Sequence, residues 1–134
     1  MRIRVLPLLL LVSACGTVEE EVVQVMPAPN VVCTMEARPG ITVQTLDKRT
    51  GDVLKGPTVL ILKDGLYADT VRASTGPLPA PTNISGAYER PGTYTVIVRH
   101  AGYRDFVKSG VTVTKDVCHV IPVEIIAQLE PTGK

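Results

Sequence analysis

The chain has 134 residues, of which 45% are hydrophobic, with 14 basic and 13 acidic side chains and a formal charge of +1. That length suits one domain plus accessory segments, and the near-balance of charge gives no electrostatic reason to expect nucleic acid as a partner. The absence of tryptophan, the 4% aromatic content and the eleven glycines and eleven prolines argue against long helices. They favour a Val, Ile and Leu core built on short strands with many turns.

Residues 1–14 read as an export signal. Arg2 and Arg4 supply a positive beginning, Val5 to Val12 a short apolar run interrupted by Pro7, and Ser13-Ala14 the small residues expected before a cleavage point. The run is too short for the roughly 20 residues of a membrane-spanning helix. Val12-Ser13-Ala14-Cys15 resembles the lipobox of bacterial lipoprotein signal peptides. That resemblance implies cleavage before Cys15 and acylation of its thiol and new amino group, with the lipid bilayer as a partner. The alternative is an ordinary secretory signal with a cysteine near the cut. Gly16 at the next position is similar to the outer-membrane sorting pattern of Gram-negative lipoproteins. Loss of Arg2 and Arg4 with the leader leaves twelve basic against thirteen acidic residues, a net charge of −1.

Residues 15–34 hold the lipidated cysteine and a tether, with an acidic run from Glu19 to Glu21 and a Pro-Ala-Pro segment that favours an extended spacer. The valines of this stretch leave a second option, in which part of the arm packs on the domain as an extra strand. With Cys15 acylated, Cys33 and Cys118 remain as an even pair in an exported chain. They precede the first and last strands, so a structural disulfide between them ties the two ends of the domain together. The competing metal reading, with His100 or His119, lacks the paired spacing of zinc sites.

Residues 35–131 form the expected domain. Ile41 to Thr45 alternates apolar and polar as a half-buried strand, and the polar turn that follows contains Gly51. Thr58 to Lys63 has four successive aliphatics and suggests burial on both faces. Asp64-Gly65 signals a hairpin, with Tyr67 to Arg72 returning. Ala73 to Ser85, with Gly76, Pro77, Pro79 and Pro81, reads as a loop. Gly86 to Tyr103 reads as a short strand, a turn at Pro91-Gly92, a long strand with Tyr94, Val96 and Val98 on one face, and a turn at Ala101-Gly102. Tyr103 to Val107 pairs back, Val111 to Thr114 alternates again, and the last strand places Ile121, Val123, Ile125, Ala127 and Leu129 on one face. Pro122, lacking an N–H, suits an edge or a strand start. The expectation is an all-β, seven-stranded antiparallel sandwich with the Tyr94 face packed on the Val123 and Ile125 face.

Thr50-Gly51, Gly86-Ala87-Tyr88, Pro91-Gly92-Thr93-Tyr94-Thr95-Val96, Ala101-Gly102-Tyr103 and Gly110-Val111-Thr112-Val113 together resemble the carboxypeptidase regulatory-like domain. The resemblance spans about Ile41 to Leu129 and departs from the family pattern at Leu54 to Val59 and in the longer 73–85 loop. It implies a transthyretin-like sandwich with no catalytic residues, found as an accessory module on secreted and surface proteins and as stand-alone lipoproteins.

Chemistry-bearing residues are sparse. His100 and His119 read as surface histidines without a partner pattern. Asp47, Asp52, Asp64 and Asp69 lack calcium-loop spacing and suit turns. No catalytic, cofactor-binding or metal residues are expected. The expected function is a lipid-anchored, non-catalytic module for protein interaction or structural support in the cell envelope. The candidate surfaces are the 73–85 loop and the Pro122 edge, for an envelope protein. The alternative is an envelope-glycan or small-ligand module with a site rimmed by Tyr67 and Tyr88.

Overall fold

A computed structural model describes residues 30–73 and 82–133. The expected leader, Cys15, most of the tether and the centre of the 73–85 loop lie outside the described residues. Over these residues the protein is all-β, with seven strands: β1 (Ile41–Asp47), β2 (Thr58–Asp64), β3 (Tyr67–Ala73), β4 (Asn83–Gly86), β5 (Gly92–His100), β6 (Phe106–Val113) and β7 (Val123–Leu129). Among the described residues there is no helix, and so none long and apolar enough to cross a membrane.

Two sheets enclose one core. The smaller has the order β4-β1-β7 and the larger β3-β2-β5-β6. Alternation in the sequence explains which side chains face inward. In β1 the buried positions are Ile41, Val43, Thr45 and Asp47, and in β5 Tyr94, Val96 and Val98. From β7 come Ile125, Ala127 and Leu129, and these faces join a single hydrophobic cluster with Leu60 and Leu62 of β2. Burying each large side chain stabilises the fold by about 1.5–3 kcal/mol. The expected sandwich of short, turn-linked strands is therefore present.

Several expectations are corrected. β1 and β7 pair in parallel, in register from Ile41↔Val123 to Asp47↔Leu129, although every other pair is antiparallel. A parallel pair needs a long connection, and here the rest of the domain supplies it. β2 is not symmetrically buried: Thr58, Leu60 and Leu62 face the core while Val59 and Ile61 are half-exposed. Asn83 to Ser85, read as loop, and Gly86, read as the start of a short strand, form the edge strand β4 (Asn83–Gly86), whose short antiparallel ladder with β1 begins beyond the last proline of the loop. The separate strands expected at Tyr103–Val107 and Val111–Thr114 are one strand, β6, which starts at Phe106. Its register against β5 slips between Tyr94 and Val96, so that Ser109 and Gly110 oppose Thr95. Gly110 has φ 73°, the left-handed value that a bulge of this type requires. Ile121 falls outside β7 and is exposed.

The turn before β5 also differs from expectation. It lies at Ala87–Arg90, where Ala87 and Glu89 take φ 53° and 49°, rather than at Pro91-Gly92. Side chains hold it. The Ala87 N–H donates to Asp69 Oδ2 at 3.1 Å, and the Tyr94 hydroxyl donates to the Arg90 carbonyl at 2.9 Å. The turn packs closely on the larger sheet. A Cβ on Gly86 would sit 2.9 Å from Leu62 Cδ1 and 3.0 Å from Asp69 Oδ2, so glycine is what lets β4 approach β2 and β3.

The disulfide expected from cysteine parity is present between Cys33 and Cys118, with Cα atoms 5.3 Å apart. It joins the segment leading into β1 to the loop leading into β7. Closing a loop of this length restricts the unfolded chain and contributes roughly 4 kcal/mol in the chain-entropy account.

Candidate functional site

The pairing registers place four segments at one end of the sandwich. Ile41 of β1 lies beside Gly86 and Val123, so the segment before β1, the β4–β5 turn and the loop before β7 meet there. Asp64 of β2 pairs with Tyr67, and Arg90 Nη1 contacts Asp64 Oδ2 at 2.8 Å, which brings the β2–β3 turn to the same end. An open cavity of about 440 Å³ lies here, lined among others by Thr34, Met35, Glu89, Lys115, Asp116 and His119.

His119 is the centre of this end. It is 8% exposed, not a surface residue as its sequence context suggested. Its Nδ1 lies 2.9 Å from Glu89 Oε1 and its Nε2 lies 2.9 Å from Thr34 Oγ1. With Nδ1–H donating to the carboxylate, a neutral ring leaves Nε2 to accept the Thr34 hydroxyl. Glu89 is fixed in turn: it accepts from the Arg38 N–H at 2.6 Å and the Val120 N–H at 3.3 Å, and its own N–H donates to the Arg38 carbonyl. These bonds to the charged form, the Arg38 N–H foremost and then His119, hold the Glu89 carboxyl below the usual carboxylate range despite some desolvation. Asp116 is likewise lowered, by the N–H groups of His119 and Cys118 that donate to its Oδ1.

Hydroxyl, imidazole and carboxylate in this order match the roles of nucleophile, base and orienting group. Acyl transfer also requires N–H donors converging on a developing oxyanion near the hydroxyl. The neighbouring N–H groups of Arg38, Cys118, His119 and Val120 are instead committed to the carboxylates of Glu89 and Asp116. The geometry is that of a clasp, which adds a polar link to the disulfide one residue away and fixes the incoming arm to the domain. Sequence reasoning missed it because Glu89 and His119 are thirty residues apart and neither spacing nor motif signals the pair.

The other histidine is half-buried. His100 Nδ1 lies 3.0 Å from Thr58 Oγ1, its ring meets Tyr103 edge-on, and burial pushes its pKa down. Asp47 serves a turn, as its spacing suggested, whereas Asp64 and Asp69 lie in β2 and β3 and hold the β4–β5 turn through Arg90 and the Ala87 N–H. Asp47 accepts from the N–H groups of Arg49 and Thr50, and the Tyr103 hydroxyl donates to its Oδ2 at 2.8 Å. Among the described residues no cluster of His, Cys, Asp or Glu could hold a metal ion.

The four tyrosines do not assemble a stacking platform. Tyr94 is fully buried, and Tyr103 is half-buried with its hydroxyl on Asp47. Tyr67 packs edge-on against Tyr94, and the Arg90 guanidinium covers its face at 3.8 Å. Only Tyr88 is open, at 56% exposure.

Among the described residues β7 has a neighbour on one side only. Pro122 just before it is exposed, and Ile126 on its outer face is 61% exposed beside an open depression shared with Thr42, Gln44, Asn83 and Glu124. This edge and this face are the second candidate surface. No family model matches the chain, and no curated protein matches it.

Proposed function

We propose that the chain is a bacterial cell-envelope lipoprotein, anchored to the bilayer through acylated Cys15 and sorted to the outer membrane in a Gram-negative cell. Its folded part is a non-catalytic module of the carboxypeptidase regulatory-like kind that serves protein interaction or structural support. The Cys33–Cys118 disulfide is the observation that carries the export half of this reading, because such bonds persist in oxidising compartments. The charged, apolar and small-residue order of residues 1–14 supports the same address.

The interaction half rests on β7. Its unpaired N–H and C=O groups offer main-chain bonds to an extended segment of an envelope protein, and exposed Ile126 offers an apolar contact beside them. The alternative, a glycan or small-ligand module, loses its main support with the covered face of Tyr67.

Cross-linking in intact cells, followed by detergent extraction, pull-down and mass spectrometry, tests both halves. The expected result is a reproducible protein partner cross-linked near β7 together with an acylated Cys15 peptide. Recovery with envelope glycan alone would replace the interaction reading by the ligand reading. An unmodified Cys15 in a soluble fraction would overturn the anchoring.

A further inference from the structure

Nine large apolar side chains are exposed among the described residues, and seven of them lie at the end of the sandwich where the disulfide sits. Val31, Val32 and Met35 come from the arm, at 51%, 91% and 105% exposure. Leu66 (108%) and Tyr88 (56%) come from the β2–β3 and β4–β5 turns, and Val117 (79%) and Ile121 (51%) from the loop before β7. The opposite end carries the turns Lys48–Thr50 and Ala101–Gly102 and the segment after β7, with Lys48, Arg49, Arg104, Asp105 and Glu130. Single exposed apolar residues are ordinary on a protein surface. Their concentration at one end, on segments fixed by a disulfide and the His119 clasp, is a sign of an interaction surface.

We infer that this end lies against the lipid bilayer, with Val32, Met35, Leu66 and Val117 inserted into the interfacial layer. The inference rests on the anchoring proposed above and gives the anchored domain an orientation. Three observations favour lipid as the occupant. The described domain begins at this end, and only fourteen residues separate Cys15 from Asn30. Without regular structure an arm of that length would have a root-mean-square span of roughly 20 Å, so acylation would hold this end, before any other, beside the membrane. The exposed side chains are of the kinds that sit at the boundary of headgroups and acyl chains, with Tyr88 among them as an amphipathic ring. The charges around them are mixed, Glu36 beside Arg38 and Lys115 beside Asp116, so contact is apolar in origin and insensitive to salt. Seated this way, β7 rises from the membrane and its free edge stays open to a partner.

Because the protein has no tryptophan, a single reporter reads the orientation. The full lipidated chain carrying Leu66→Trp, or Arg49→Trp at the opposite end, is reconstituted into phosphatidylethanolamine and phosphatidylglycerol vesicles with brominated acyl chains. The Leu66→Trp reporter should be quenched at least twofold more than the Arg49→Trp reporter, equally in low and high salt. Adding Val32→Ser, Met35→Ser and Val117→Ser, all exposed and none in the core, should remove that difference and show that the reporter does not itself drive insertion. Equal quenching of the two reporters in vesicle-bound protein would overturn the orientation while leaving the anchoring intact, as expected if a protein partner covers this end. Protein that fails to float with the vesicles would overturn both.

Discussion

The two ends of the sandwich are held together by different chemistry. At the arm end a covalent bridge, a buried imidazole and a carboxylate fix segments outside the two sheets, and many of the side chains left outside are apolar. At the opposite end the described connections include tight turns. Gly51 and Gly102 take φ 78° and 82°, Asp47 and Tyr103 share one short hydrogen bond, and Arg99 meets Asp105 on the surface. A short turn satisfies its own backbone groups locally. A long arm cannot, and needs tertiary links. The contrast is one of support: a covalent and a polar link hold the arm end, and local turn bonds hold the described turns of the other.

Cutting the bridge should have the largest effect. Cys118→Ser, or reduction, should destabilise the domain by about 4 kcal/mol, seen as a lower urea midpoint, with the arm exchanging amide hydrogens faster than the turn end. Loss confined to the turn end would contradict the division. His119→Ala should follow, at about 2 kcal/mol, because it leaves Glu89 and Thr34 without their shared partner in a partly buried site. A urea melt of this variant against Cys118→Ser and the double variant would show whether clasp and bridge act on the same arm, in which case their effects are not additive.

Acid should weaken both ends. Glu89 and Asp116 at one end and Asp47 at the other are held below their ordinary values of 4.5, 3.8 and 3.8. A carboxyl whose folded pKa is depressed adds stability that is present above the unfolded value and is lost as pH falls through the folded one. Stability should therefore decline from about pH 4.5 downward. Tyr103→Phe removes the first cause of the Asp47 shift, so the Asp47 titration followed by NMR should move up towards 3.8 while that of Glu89 stays put. The smallest effect is expected at the exposed apolar residues. Leu66→Ser should change the unfolding free energy measured in urea by no more than about 0.5 kcal/mol, although it lies at the end argued to meet lipid. A large loss there would mean that Leu66 belongs to the fold and not to a docking surface.

Much of the molecule was legible from residue order alone. Alternation in Ile41–Thr45, Thr93–Val98 and Val123–Leu129 marked three core strands, Asp64-Gly65 marked a hairpin, and the parity of the cysteines left once Cys15 is set aside marked the disulfide. Each of these signals is local or is a count. β4 was hidden because four residues after a proline-rich stretch carry too little pattern. The bulge at Gly110 broke the alternation of β6 and made one strand look like two. The candidate site was almost invisible. Glu89 at φ 49°, His119 and Thr34 come from three segments, and their partnership exists only once the parallel pairing of β1 with β7 has brought the arm, a turn and a loop to one end. The same holds for the exposed apolar residues, which are scattered from Val31 to Ile121 in the chain and gathered by the topology. Sequence by itself determined the inward faces of β1, β5 and β7, the composition of the core and the oxidised pair, because side-chain alternation follows from the two-residue repeat of an extended chain. Tertiary structure alone decided which turns share an end, because strand order and direction depend on contacts between residues that the chain keeps far apart.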